Sequence, residues 1–453
     1  MLKPEEVMVP NLGPREQSSP LWAHTDPGNG HGRFVSDNDG VPLQVEVRQH
    51  RLEPAEVIFE KAGPRKKIYF DPSRTKAAIV TCGGLCPGLN KVIRSTFFEL
   101  YHGYGVRDVL GIRFGYQGMS PAATHEPIPL THSLVSDIHK QGGTILGSSR
   151  GPVDPKLQVD FLEARRINVL FCIGGDGTQR GALAIHKEAQ RRGYPLAVVG
   201  IPKTIDNDIQ YVWRTFGYFT ALDRARSVIE SAHNEARSAV NGIGLVKLMG
   251  RHAGFVAAGA ALASGEVNFT LIPEVPFALD GPDGFLAVLK RRMLDRGHAV
   301  VVVAEGAGQY LFDTAEAERD ASGNLKLQDI GVYLKDRINE YFYAEKLPVN
   351  LKYIDPSYAI RSCPANTEDA LLCDQYARHA VHAAMAGKSA IVIGLWYNVF
   401  IHVPIAVAVK EPRHVDPHGE LWTSVLAATG QPATFGIPIP EPKTEAEKSM
   451  VEL

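Results

Sequence analysis

The sequence predicts an α/β protein of two doubly wound, mainly parallel-sheet lobes, with an active site in the cleft between them and an N-terminal extension. Three observations carry that expectation. At 453 residues the chain exceeds one ordinary hydrophobic core. From Lys76 onward, short apolar runs alternate with helical segments, the rhythm of parallel strands covered by helices. Glycine-rich, charged turns recur at the ends of those runs, the edge at which such folds bind ligands.

The runs, in order, are AAIVTC, DVLGIRF, NVLFCIGG, PLAVVGIP, GIGLVKLM, FTLIPE, HAVVVVAEG, NLKYID and SAIVIGLW. The longest helical segment covers about residues 221–238 and joins one lobe to the next, with the boundary near Phe216. Residues 1–75, rich in Pro, Gly and charge, read as an arm outside the catalytic core. The remaining divisions are 76–215, 216–360 and a segment returning to the first lobe with a C-terminal tail, 361–453.

Lys plus Arg total 48 and Asp plus Glu 50, a net charge of −2 without the basic excess of a nucleic-acid binder. Five cysteines show neither a CxxC pair nor zinc spacing, which predicts packed, reduced thiols and a cytoplasmic setting. No charge-free stretch reaches membrane-spanning length, and neither the N-terminal MLKPEEVMVPNLGPREQ nor the C-terminal KSMVEL reads as an address.

Seven turns carry chemistry: TCGGLCPGLN (81–90), GSSRGP (147–152), IGGDGT (173–178), PKTIDND (202–208), LMGRHAG (248–254), AEGAG (304–308) and YIDPSYAIR (353–361), each expected at the end of a strand. Gly-rich turns before helices admit anions, and an aspartate beside them suits a divalent cation. Any one of these turns can be a cap or a bend. Seven gathering Gly, Asp, Lys and Arg at one edge predict a phosphate-handling cleft. In PKTIDND, an extended backbone would point Asp206 and Asp208 to one side, where one removes a hydroxyl proton; the alternative is an Asx-turn. Arg150, Lys203, Arg251 and Arg361 each sit in a turn and together suit two phosphates.

Other signals fail. AMAGKS lacks the first glycine of a P-loop, having His382 there, and reads as a helix end. His379 and His382, three apart, lack an acidic third ligand and read as solvated helix histidines. GNGHGR follows no strand and is not a dinucleotide fingerprint.

The succession GGLCPGLN, GGDGT, PKTIDND, MGR, AEG and YAIR, within about residues 76–403, closely resembles the phosphofructokinase family, in the ATP-dependent branch related to pyrophosphate-dependent enzymes. The resemblance implies transfer of the γ-phosphoryl group of ATP to the 1-hydroxyl of fructose 6-phosphate with Mg²⁺, in a homodimer or homotetramer. It implies that Gly84, Arg150, Gly151, Gly175, Asp176, Gly177 and Thr178 line the nucleotide phosphates, Asp176 holding magnesium. Asp206 is implied as general base, with Asp208 and Arg251 in the catalytic group. Lys203, Thr204, Ile205, Asp206, Met249, Gly250, Arg251, Glu305, Tyr358 and Arg361 are implied to contact the sugar phosphate.

The chain departs from the short bacterial members, which lend arginines across subunits, at Gly242 and Lys352, and has Tyr358 where they have histidine. Donor choice turns on Gly177, where pyrophosphate users carry a second aspartate, and on Lys203, which those users share. Glycine predicts ATP. The alternatives are a pyrophosphate-dependent phosphotransferase and, from another class, a non-catalytic sugar-phosphate or nucleotide sensor. Lipid and NAD kinases share GGDG but not the other turns, and a dinucleotide oxidoreductase should show its own glycine fingerprint.

Overall fold

A computed structural model describes residues 2–21, 34–45, 56–312 and 326–439; GNGHGR and KSMVEL lie outside them. The N-terminal segment supplies β1 (Gln17–Ser18), β2 (Gly40–Pro42), β3 (Ile58–Lys61) and β4 (Lys67–Ile68). Next come β5 (Lys76–Thr81), β6 (Asp108–Ile112), β7 (Ile128–Pro129), β8 (Val169–Gly174) and β9 (Ala197–Pro202). A second group holds β10 (Gly242–Leu248), β11 (Phe269–Leu271), β12 (His298–Ala304) and β13 (Asn350–Ile354), and the chain closes with β14 (Ile391–Trp396) and β15 (Val399–Pro404).

Two sheets dominate. The larger runs β2-β3-β15-β14-β9-β8-β5-β6-β7, with β14, β9, β8, β5 and β6 parallel. The smaller runs β11-β12-β10-β13, all parallel. Every residue of β8, β9 and β10 is buried, which is why these strands read as continuous apolar runs rather than as alternating ones. In the smaller sheet the faces divide by parity: Val246, Leu248, Val300 and Val302 join the core of the large sheet, while Ile243, Leu245, Val301 and Val303 build a separate core. Helix Tyr218–Ser238 packs on β10 and β12 and against helix Thr367–Met385, so one hydrophobic core links the two sheets.

Two expectations need correction. The described residues before Lys76 do not all lie outside the core, because β3 pairs antiparallel with β15 and β2 pairs with β3, burying Phe59. Behind that edge, Glu60 accepts from Lys388 Nζ at 2.8 Å, Arg65 Nη2 at 2.7 Å and His402 Nδ1 at 3.0 Å. Burial pushes the Glu60 carboxyl up, but bonds and charge from His402 and Lys388 outweigh it and hold it down at about 2. Lys388, from AMAGKS, is thus a buried ion-pair partner. The helix histidines are not solvated either: His382 Nδ1 lies 3.0 Å from Tyr104 Oη, and His379 stacks on Phe400 with centroids 4.4 Å apart.

β15, antiparallel to β14, was not among the expected strands. Its hairpin turns on Tyr397 and Asn398, both left-handed at φ 45° and 67°, as a two-residue turn of primed type requires.

Candidate active site

Six of the seven turns leave the carboxyl ends of parallel strands, those of β5, β8, β9, β10, β12 and β13. GSSRGP does not; no strand precedes it directly. It is fastened to the first turn instead, by Gly83 N–H to Ser149 O at 3.0 Å and Ser148 Oγ to Gly83 O at 2.6 Å. That attachment delivers Arg150.

A Cβ placed on Gly84 would lie 3.3 Å from both Arg150 Nη2 and Arg361 Nη1, while Lys203 Nζ donates to Gly84 O at 2.7 Å. Three cations from three separate turns therefore meet over one residue, where a side chain would crowd both guanidinium groups. Burial pushes the Lys203 ammonium down, and Arg150 and Arg361 add to the effect. Such a cluster fits phosphoryl oxygens, with planar guanidinium forks around one point charge. Arg361 thus stands with Arg150 and Lys203 as well as beside Tyr358, whose ring lies 5.2 Å below its guanidinium and is 75% exposed.

The backbone of PKTIDND does not stay extended between Asp206 and Asp208. Asn207 adopts φ 55°, and its side chain rather than an aspartate's makes the local caps, Oδ1 accepting from Thr215 N–H at 2.9 Å and Nδ2 donating to Trp213 O at 3.1 Å. Thr204 Oγ1 accepts from Asp206 N–H at 3.0 Å and Thr204 O accepts from Thr215 Oγ1 at 2.6 Å. Despite the turn, the two carboxylates remain in electrostatic reach. Burial, then Asp208 and Glu305, push Asp206 well above the usual carboxylate range, against the pull of Lys203 and Arg361. Asp208 is raised by burial and by Asp176, and lowered by a bond from Thr204.

Asp206 Oδ1 is buried without a hydrogen-bond partner. This orphan oxygen, with Asp176 and Asp208 repelling one another nearby, leaves the site short of positive charge, and the oxygen donors fit a hard divalent cation. Among the described residues no three His, Cys, Asp or Glu side chains form a cage. Asp176 is the first residue of helix Asp176–Arg191 and pairs with Arg180 Nη2 at 3.0 Å.

Gly175 and Gly177 flank Asp176, and a Cβ on Gly177 meets nothing within 4 Å. Thr178 and Ile205 differ from expectation. Thr178 is buried with its hydroxyl packed over Gly174 and its carbonyl held by Tyr116 Oη at 2.7 Å, so it supports the turn rather than facing the cleft. Ile205 is 5% exposed, its side chain in the core.

Across the cleft, Glu305 N–H bonds Leu248 O at 2.9 Å and Gly306 N–H bonds Gly250 O at 3.0 Å, fixing the Glu305 turn beside Met249, Gly250 and Arg251. Burial raises the Glu305 carboxyl and the Arg251 guanidinium opposes that rise. The following strand is tied in by Lys247 Nζ, 2.8 Å from Asp355 Oδ2 and 3.0 Å from Asp329 Oδ2.

Sequence reasoning missed a cavity of about 620 Å³ beside Arg150 and Gly151, lined among others by Arg113, Phe114, His125, Ser149, Pro152 and Leu157. The Phe114 and His125 rings lie 4.6 Å apart in its wall. Phe114 sits there through a left-handed backbone at φ 54°, which no sequence pattern announces.

Residues 76–384 match the family model described as phosphofructokinase. The chain belongs to the phosphofructokinase family. The ATP-dependent 6-phosphofructokinase of Borreliella burgdorferi is 50% identical over 438 residues, 95% of this chain and 98% of that protein. That of Amycolatopsis methanolica is 46% identical over 442 residues, 95% and 96% of the two chains. The crystal structure of a pyrophosphate-dependent phosphofructokinase from Marinobacter aquaeolei superposes with a TM-score of 0.64 at 21% identity, covering 82% of this chain and 94% of that one. At that identity the superposition speaks for the phosphofructokinase fold alone.

Proposed function

We propose that this chain transfers the γ-phosphoryl group of ATP to the 1-hydroxyl of fructose 6-phosphate, committing the sugar to glycolysis. The observation that carries the donor is the cavity of about 620 Å³ next to the Arg150 turn, room for a nucleoside that pyrophosphate does not have. The space left open at Gly177 and the relatives named ATP-dependent support the same reading.

The roles follow from the side chains. Asp206 in its ionised form takes the proton of the sugar's 1-hydroxyl as that oxygen attacks, and its raised proton affinity makes it a stronger base than an exposed aspartate. Arg150, Lys203 and Arg361 hold the phosphoryl oxygens over Gly84, so transfer needs no reorganisation of charge. From the second sheet, Arg251 neutralises the transferring group while Glu305 receives sugar hydroxyls and Tyr358 closes the 6-phosphate end. Asp176, with Asp206 and Asp208 close by, would hold Mg²⁺, which would supply further neutralisation of the phosphate charge.

In this reading 76–215 is the nucleotide-binding lobe and 216–360 the sugar-phosphate lobe. The working form is a cytoplasmic homodimer or homotetramer. Among the described residues no helix is long and apolar enough to cross a membrane.

The pyrophosphate-dependent reading keeps one observation in its favour, Lys203 at the centre of the cation cluster. A coupled assay with fructose 6-phosphate, Mg²⁺ and either ATP or pyrophosphate decides. Turnover with ATP is expected. Turnover with pyrophosphate alone overturns the donor assignment, and none with either turns the site into a sensor.

A further inference from the structure

Three consecutive residues beyond position 384, where the family match ends, bridge the two halves of the site. Arg413 N–H donates to Asp208 O at 2.8 Å. Its Nη1 donates to Trp213 O at 2.9 Å and to Val212 O at 3.2 Å. Trp213 O is the same oxygen that receives Asn207 Nδ2. The left-handed residue between the two catalytic-loop carboxylates and Arg413 are therefore anchored to one point.

The other face of this segment belongs to the second lobe. The Arg413 guanidinium lies 5.1 Å from the Trp213 ring centroid and 4.7 Å from that of Phe255, the first residue of helix Phe255–Ser264. His414 Nδ1 bonds His252 O at 2.8 Å, next to Arg251. Val415 N–H bonds Glu274 Oε1 at 2.8 Å, and the same carboxylate receives Gly254 N–H at 2.9 Å. Residues 413–415 thus bind the loop bearing Asp206 and Asp208 and the turn that follows Arg251.

We infer that Arg413 is a positioning residue for phosphoryl transfer. By pinning the 207–213 loop to the 252–255 turn, it fixes the distance between Asp206 and Arg251, groups on opposite sides of the cleft. It touches no reacting atom. Its effect falls on the geometry of attack, where an error of about 1 Å costs on the order of 100-fold in rate. The inference rests on the assignment of Asp206 as base.

The test compares Arg413→Met, which keeps an apolar chain between the two rings, with Arg413→Lys, which keeps a charge and one donor direction. Steady-state constants are measured for both substrates, together with melting temperature. For Arg413→Met, kcat is expected to fall about 10- to 100-fold while KM for ATP stays within about twofold. Arg413→Lys should recover several-fold of the loss. In an Asp206→Asn background, Arg413→Met should cost little more, since the group it positions has gone.

A wild-type kcat for Arg413→Met overturns the positioning role. So does a loss that adds in full to Asp206→Asn, or one explained by unfolding at the assay temperature with no recovery in the lysine variant. A wild-type kcat for Asp206→Asn alone condemns the base assignment instead, so the two failures are read from different proteins.

Discussion

A carboxyl group whose ionised form is disfavoured makes the stronger base, and it also makes the fold less stable. Asp206 carries both consequences. Its folded-state affinity for a proton is raised above the ordinary value of 3.8, so the stability this group allows is complete below that pH and is lost as pH rises through its folded-state value. Asp206→Asn is therefore expected to raise the melting temperature while lowering kcat by roughly 100-fold or more. An unchanged kcat assigns the base elsewhere. The same shift places the acid limb of the kcat/KM profile above the usual carboxylate range, and Asp208→Asn, by removing a like charge, should move that limb to lower pH. A limb that stays in place rules out Asp206 as the titrating group. Gly177 offers a second test at this scale. With nothing within 4 Å of a Cβ there, Gly177→Asp should melt like the native chain yet lose at least about tenfold in kcat/KM for ATP, through repulsion of the nucleotide's phosphates. Equal use of ATP by that variant sinks the donor argument.

All nine runs named from sequence occur as strands; β8, β9 and β10 were legible because burial on both faces leaves an unbroken apolar run, whereas β13 is half-exposed. β3 was not legible. Its residues Ile58, Phe59, Glu60 and Lys61 look like surface chain, and what holds them is a charge cluster drawn from positions 37, 65, 388 and 402. No local pattern reports a partner more than 300 residues away. Glu60→Ala should expose the importance of that cluster by leaving the buried Lys388 and Arg65 with the half-exposed Asp37 as their shared partner, a loss of about 2–4 kcal/mol in urea unfolding. The exposed pair Arg165 and Glu126 is the control, where Glu126→Ala should change stability by less than about 1 kcal/mol. Similar values for the two substitutions would mean that Glu60 holds nothing. The site shows the same division. The strand-end turns that carry Asp206, Lys203 and Arg361 were readable, whereas the left-handed Asn207 and the attachment of GSSRGP to Gly83 depend on bonds no spacing encodes.

Across the whole molecule, the two ends of the chain complete what its middle begins. β3 and β2 cover β15, which would otherwise end the large sheet with unpaired backbone groups. Deletion of residues 2–61 is accordingly expected to lower soluble yield and to give aggregates on sedimentation rather than a discrete trimmed species. A truncated chain that sediments and melts like the full one would show that the edge needs no cover. At the other end, residues 413–415 carry no recognisable motif, because their partners are backbone carbonyls, rings and the Glu274 carboxylate rather than substrate. The open space at Gly177 has a last consequence, in descent rather than in chemistry. Since a Cβ there meets no atom within 4 Å, side chains at position 177 can be gained and lost without crossing a folding threshold, so selection on that position acts through activity and not through stability.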